Sequence, residues 1–197
     1  MKTNHFLTFV ILTSLFFTNC TDPQPAPAES APAAEAKATP ADLAKRGEYL
    51  VHIMGCNDCH TPKIMTPQGP APDPARMLSG HPAEEKLAAI SDPRVLKNYA
   101  LFNGSLTAAV GPWGTSFSAN LTPDETGLGN WTLEMFGKAL REGKLKGMEG
   151  TRPLLPPMPW QNYASLTDDD LAAIFAYLQS VPPVKNVAPA PLPPAAM

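Results

Sequence analysis

The chain is poor in several things that build binding surfaces. Only 17% of its 197 residues are charged and 8% are aromatic, and it has three cysteines, Cys20, Cys56 and Cys59. Lysine and arginine number 15 against 18 acidic residues. No basic stripe forms anywhere, which argues against nucleic acid as a partner. The longest largely apolar run, Phe6 to Phe17, falls well short of the roughly 20 residues that a membrane-spanning helix needs. Three cysteines cannot build a Cys₄ zinc site, and they leave one over from any disulfide. The low aromatic content is modest for a core of this size, and a bulky cofactor would supply the missing apolar volume.

Proline, by contrast, is abundant, with 24 residues that form clusters at the two ends. Residues 1–19, with Lys2 ahead of the apolar run, read as a signal peptide. Cys20 follows directly, and Phe17-Thr18-Asn19-Cys20 resembles a bacterial lipoprotein box, in which the cysteine becomes the lipidated N-terminus. Residues 20–40 then form a lipidated terminus and a Pro/Ala-rich linker too poor in bulky apolar residues to build a core. In polyproline II geometry such a linker reaches about 60 Å. The expected location is the cell envelope, anchored by lipid to a membrane and facing the periplasm. Residues 185–197 read as a Pro-rich disordered tail.

Between these ends the sequence predicts three helices. The first opens at Thr39-Pro40-Ala41-Asp42, a capping box with proline at the first helical position. Leu43, Gly47, Leu50, Val51 and Met54 fall on one face, and Gly47 there suits the close approach of another helix. A second helix is predicted from about Asn130 to Gly143. A third opens at Thr167-Asp168-Asp169-Asp170 and ends at Pro182-Pro183. Residues 61–129 show little periodicity beyond a short helix predicted around Ala83–Ile90. So long an irregular stretch is compatible with a compact domain if it wraps something other than protein.

Cys56-Asn57-Asp58-Cys59-His60 is C-x-x-C-H, the attachment signature of c-type haem. Two thiols three residues apart form thioethers with the two haem vinyl groups, and the adjacent histidine ligates iron. A thioredoxin-like dithiol needs a strand–helix context that is missing here. A Cys₂His₂ zinc site would have to recruit His52 or His81 beside His60. A single C-x-x-C-H implies a single covalent haem.

The sixth iron ligand is then sought among the methionines. Met54 and Met135 lie on apolar helix faces, whereas Met65, Met77 and Met148 lie in loops. Met158 is set in Arg152-Pro153-Leu154-Leu155-Pro156-Pro157-Met158-Pro159-Trp160, where flanking prolines reduce the freedom lost when a ligand is held in place. The alternative is that Met158 caps an apolar cluster with Leu154, Leu155 and Trp160.

The stretches RGEYLVHIMGCNDCHTP, SANLTPDETGLGNWT and RPLLPPMPWQNYASLTDDDLAAIFAYLQSVPP resemble those of class I cytochromes c. They are closest to the single-haem lipoproteins and the cytochrome subunits that serve bacterial dehydrogenases. The resemblance covers residues 41–184 and implies a mainly α cytochrome c fold. Its N- and C-terminal helices would cross near Gly47 and Phe175 or Tyr177, over a covalently attached haem. It implies Cys56 and Cys59 as the haem attachments, His60 as proximal ligand and Met158 as distal ligand. It further implies a proline carbonyl, Pro62 or Pro70, to orient His60. Asn120, Thr122 and Trp131 are candidate propionate contacts, against the simpler reading that this loop bonds its own backbone. His81 is expected to be a surface loop residue.

The function implied is a membrane-tethered carrier of single electrons. Its redox partners would be a dehydrogenase as donor and an oxidase or another cytochrome as acceptor. With both axial positions filled, no substrate site remains at iron, so the chain is not expected to be an enzyme. The competing classes are a peroxidase, a thiosulfate-oxidising subunit or a gas sensor, each with a displaceable distal ligand.

Overall fold

A computed structural model describes residues 39–194. The signal peptide, Cys20 and most of the linker lie outside these described residues. Helix α1, Pro40–Ile53, starts with the predicted capping box: Thr39 Oγ1 accepts from the Asp42 N–H, and the Asp42 carboxylate accepts from the Thr39 N–H. A short helix α2, Cys56–His60, follows after Gly55, whose φ of 70° lets the chain turn sharply between the two. Helix α3 spans Leu133–Glu142, and helix α4 spans Asp168–Ser180 behind a Thr167 cap that accepts from Asp170 N. The predicted second helix therefore begins later than Asn130, at the point where Thr132 caps it by accepting from Met135 N. No helix among the described residues is long and apolar enough to cross a membrane.

Helices α1 and α4 cross at Gly47. A Cβ there would lie 1.9 Å from the Ala173 carbonyl oxygen and 2.7 Å from Tyr177 Cβ, so any larger residue forces the helices apart. Around the crossing, Leu50, Val51, Leu171, Ala173, Ile174 and Leu178 are buried together with Leu78, Leu128 and Phe136. Each large aliphatic side chain fully buried in this way contributes about 1.5–3 kcal/mol. Arg46 ties the two helices at the surface, 3.0 Å from Asp170.

The middle of the chain departs from the mainly α expectation. Strands β1 (Lys63–Thr66) and β2 (Gly69–Pro72) form an antiparallel hairpin. Strands β3 (Leu101–Phe102), β4 (Ala108–Gly111) and β5 (Gly114–Phe117) form a second antiparallel sheet in the order β3-β4-β5. No strand exceeds four residues and several contain Gly or Pro, so no alternating pattern marks them in sequence. The helix expected at Ala83–Ile90 is absent. A 3₁₀ turn occupies Pro93–Lys97 instead, capped by Asp92.

The C-terminal segment is a second correction. Residues 185–194 are laid along the domain instead of trailing as a disordered tail. Leu192 exchanges two backbone hydrogen bonds with Thr115, at 2.9 and 3.0 Å, on the outer edge of β5. Asn186 donates to the carbonyls of Ser79 and His81 at 2.7 and 2.9 Å. An open strand edge carries unpaired N–H and C=O groups, and here the segment covers part of that edge.

Candidate haem-attachment site

Helix α2 places Cys56 and Cys59 one turn apart, on the same side. Both thiols are free and half-buried, and Cys56 packs against the core. Burial pushes the Cys56 thiol up to about 11 and raises Cys59 as well. Reactive redox dithiols show the opposite shift, which adds to the missing strand–helix context against a thioredoxin-like reading. The zinc reading fails on geometry: no group of three potential ligands gathers among the described residues.

His60 closes α2, and its Nδ1 lies 2.8 Å from the carbonyl oxygen of Ala119. With Nδ1–H donating there, Nε2 keeps a free lone pair and the ring has a fixed direction, the arrangement that suits a metal-ligating imidazole. Burial lowers the His60 pKa, which favours the neutral, ligating form. The orienting carbonyl is thus Ala119, not the expected Pro62 or Pro70. The Pro62 carbonyl accepts from Asp73 N at 2.8 Å, and Pro70 pairs with Met65 in the hairpin. Leu78 N donates to Thr61 Oγ1 at 2.9 Å and Gly80 N donates to His60 O at 2.8 Å. The segment after the hairpin therefore wraps the end of α2.

Met158 lies half-buried in the proline loop. Leu154 N donates to the Gly143 carbonyl at 2.6 Å, and Ser116 Oγ donates to the Pro156 carbonyl at 2.6 Å. The indole of Trp160 packs on the backbone at Gly143. The loop runs on into a 3₁₀ turn, Trp160–Tyr163, where the Tyr163 hydroxyl donates to Met54 O at 3.4 Å. The Tyr163 phenol is raised, mainly by burial and then by the neighbouring Cys56 and Cys59. The continuation of the Met158 loop therefore reaches the cysteine helix. Met65 and Met148, by comparison, are 81% and 50% exposed, too open to water for a protected ligand.

Two other expectations change. Asn120 is buried and saturated: its Nδ2 donates to Val184 O, Asn186 O and Thr126 Oγ1, and its Oδ1 accepts from Thr122 N and Thr122 Oγ1. Nothing is left for a propionate, and the residue clamps the C-terminal segment instead. Thr122 is buried in the same network and is likewise committed to protein partners. Trp131 packs half-buried against the core. His81 is fully buried, not at the surface. Its Nδ1 lies 2.9 Å from Thr107 Oγ1, and its ring stacks on Phe117 at 4.8 Å between centroids. Its Nε2 lies 3.4 Å from the Glu85 carbonyl oxygen, so both ring nitrogens face protein partners and neither is turned to a metal.

Sequence reasoning missed Ala119 and Ser116. The first acts through its carbonyl, which every residue has, so no side-chain signal exists. The second is an ordinary serine until the fold sets it beside Pro156. The donor set is nevertheless one that fits haem: two neutral thiols on one side of a helix, an oriented imidazole, and a methionine on a pinned loop.

No known family model matches the chain. It is 35% identical over 161 residues to the cytochrome c subunit of a quinone-dependent alcohol dehydrogenase of Gluconobacter oxydans (strain 621H), over 80% of this chain and 26% of that protein. It is 33% identical over 144 residues to the cytochrome c subunit of a gluconate 2-dehydrogenase of Pantoea cypripedii, over 72% of this chain and 24% of that protein. To the cytochrome subunit of a fructose dehydrogenase of Gluconobacter japonicus it is 43% identical over 81 residues, covering 40% of this chain and 16% of that protein. The chain spans about a quarter or less of the length of these curated relatives. It is a homologue of cytochrome c subunits of bacterial dehydrogenases, and these relatives support a cytochrome c fold.

Proposed function

We propose that the chain is a single-haem c-type cytochrome that carries single electrons between redox proteins of the cell envelope, from a dehydrogenase towards the respiratory chain. The observation that carries this reading is His60: its Nδ1 is held by the Ala119 carbonyl directly beside two free thiols at haem-attachment spacing. The dehydrogenase subunits among its relatives support a dehydrogenase as donor.

In this reading Cys56 and Cys59 would hold haem c covalently, His60 and Met158 would ligate its iron, and the indole N–H of Trp131 would serve a propionate. Bound haem supplies a one-electron couple at iron. The protein would bind it and orient its ligating histidine through the Ala119 carbonyl, and with Met158 as second ligand it would leave no position for substrate. A carrier of this kind meets its partners through small, transient contacts. Lipidation at Cys20 would tether the domain to a membrane at the end of the Pro/Ala-rich linker.

The test is the absorption spectrum of the purified full-length protein. We expect covalently bound haem, low-spin iron, and a Met–iron charge-transfer band in the oxidised state. Met158→Ala keeps the covalent haem, abolishes that band and lowers the potential, because a methionine ligand raises it. High-spin resting iron that reacts rapidly with carbon monoxide or peroxide would instead support an enzyme or a sensor. A band that survives in Met158→Ala assigns the ligand to another residue.

A further inference from the structure

Lys63 opens the strand that follows the haem-attachment motif, and its position is unusual for a lysine. Its ammonium donates to three backbone carbonyls: that of Asp58, that of Thr61 at 2.9 Å, and that of Ser105 at 3.0 Å. An ammonium has three N–H donors, so its capacity is filled. Its backbone N–H adds a fourth bond, to Ser105 Oγ at 3.2 Å. Asp58 and Thr61 bracket Cys59 and His60 in the chain. No carboxylate forms a salt bridge with Lys63 among the described residues, so its charge is not cancelled by a paired anion. The Asp58 carboxylate acts on its charge without forming an ion pair, and its charge also acts on His60.

The last carbonyls of a helix lack partners inside it. Most helices satisfy them with backbone N–H groups or water. Here a full positive charge does so, at the end of a helix where the dipole favours a cation. Three carbonyls from two segments fix that charge beside the attachment motif, and burial partly desolvates it.

We propose that Lys63 is a positioning residue with an electrostatic role. It locks the end of the attachment helix to the Ser105 loop, and it supplies a fixed positive charge that favours the reduced state of the site. This rests on the reading of the chain as a c-type cytochrome. Reduction adds one electron and no proton, so the site loses one unit of positive charge. A nearby fixed cation in a partly desolvated setting favours that change.

The test uses the full-length holoprotein and an equilibrium redox titration with dithionite and ferricyanide in the presence of mediators. Lys63→Gln keeps covalent haem and the oxidised spectrum, but its equilibrium shifts about tenfold towards the oxidised form, a fall of about 59 mV for a one-electron couple. Lys63→Arg, which keeps the charge, holds the wild-type potential. An unchanged potential in Lys63→Gln overturns the proposal, and so does an equal fall in Lys63→Arg. Should Lys63→Gln fail to accumulate, the wild-type protein answers by lysine acetylation read by mass spectrometry. Lys63 should react far more slowly than the exposed Lys45 and Lys86, and equal reaction rates overturn the proposed placement. Wild-type protein without covalent haem would overturn the cytochrome reading itself, before any Lys63 variant is examined.

Discussion

The segments that carry the two candidate ligands, His60 and Met158, are held in different ways. On the His60 side the chain after α2 is bound back by a dense set of hydrogen bonds. Pro62 O, Thr61 Oγ1, His60 O and His60 Nδ1 are each engaged, by Asp73, Leu78, Gly80 and Ala119 respectively. On the Met158 side the bonds are fewer, and four prolines in nine residues supply the stiffness that hydrogen bonds supply opposite. One short run serves both sides. Ser116 bonds the Pro156 carbonyl, and three residues later Ala119 bonds His60. The irregular middle of the chain is thus the frame that sets both candidate ligands, which explains why a long non-helical stretch is kept in so small a domain.

This comparison can be broken at the frame. Asn120→Ala should have the largest effect, because it leaves Val184 O, Asn186 O and Thr122 N without their partner beside Ala119. A loss of about 2 kcal/mol in denaturant unfolding is expected, with release of residues 185–194 seen as faster hydrogen exchange there. Ser116→Ala acts on the other side and should cost about 1 kcal/mol. Its distinguishing readout is exogenous imidazole, which should displace Met158 more readily while covalent attachment and the His60 side stay intact. Equal imidazole binding in wild type and variant would mean that the prolines alone fix the loop.

The smallest effect should come from Asp73, whose turn leads the chain from β2 back over α2. Hydrogen bonds from the Arg76 side chain and the Ala75 N–H hold its carboxyl below the usual carboxylate range. A depressed folded pKa gives stability that is present above the unfolded value and lost as pH falls through the folded one. The difference in melting temperature between wild type and Asp73→Asn should therefore be steady near neutrality and shrink below about pH 3.9. A difference that persists at lower pH would assign the turn's stability to packing instead of charge.

The helices were legible because their signals are local. Thr39, Asp42 and Thr167 cap through bonds spanning three residues, Pro40 opens the first helix, and Gly47 announces a helix crossing by its lack of a side chain. The sheets were not legible, because strands of two to four residues carry too little pattern to read. The same limit hid the burial of His81. Its partners Thr107 and Phe117 lie 26 and 36 positions on, and only the folded chain brings them to its ring.

The sequence by itself determined the candidate attachment motif: two thiols and a histidine within five residues, and a methionine fixed among prolines. Both follow from covalent spacing and backbone stiffness, which need no fold to be read. Only the tertiary structure decided which carbonyl orients His60, which hydroxyl pins the methionine loop, and that the C-terminal segment is bound to the domain. Each of those is a long-range hydrogen bond, made by groups that nearly every residue carries and therefore specified by position in space alone.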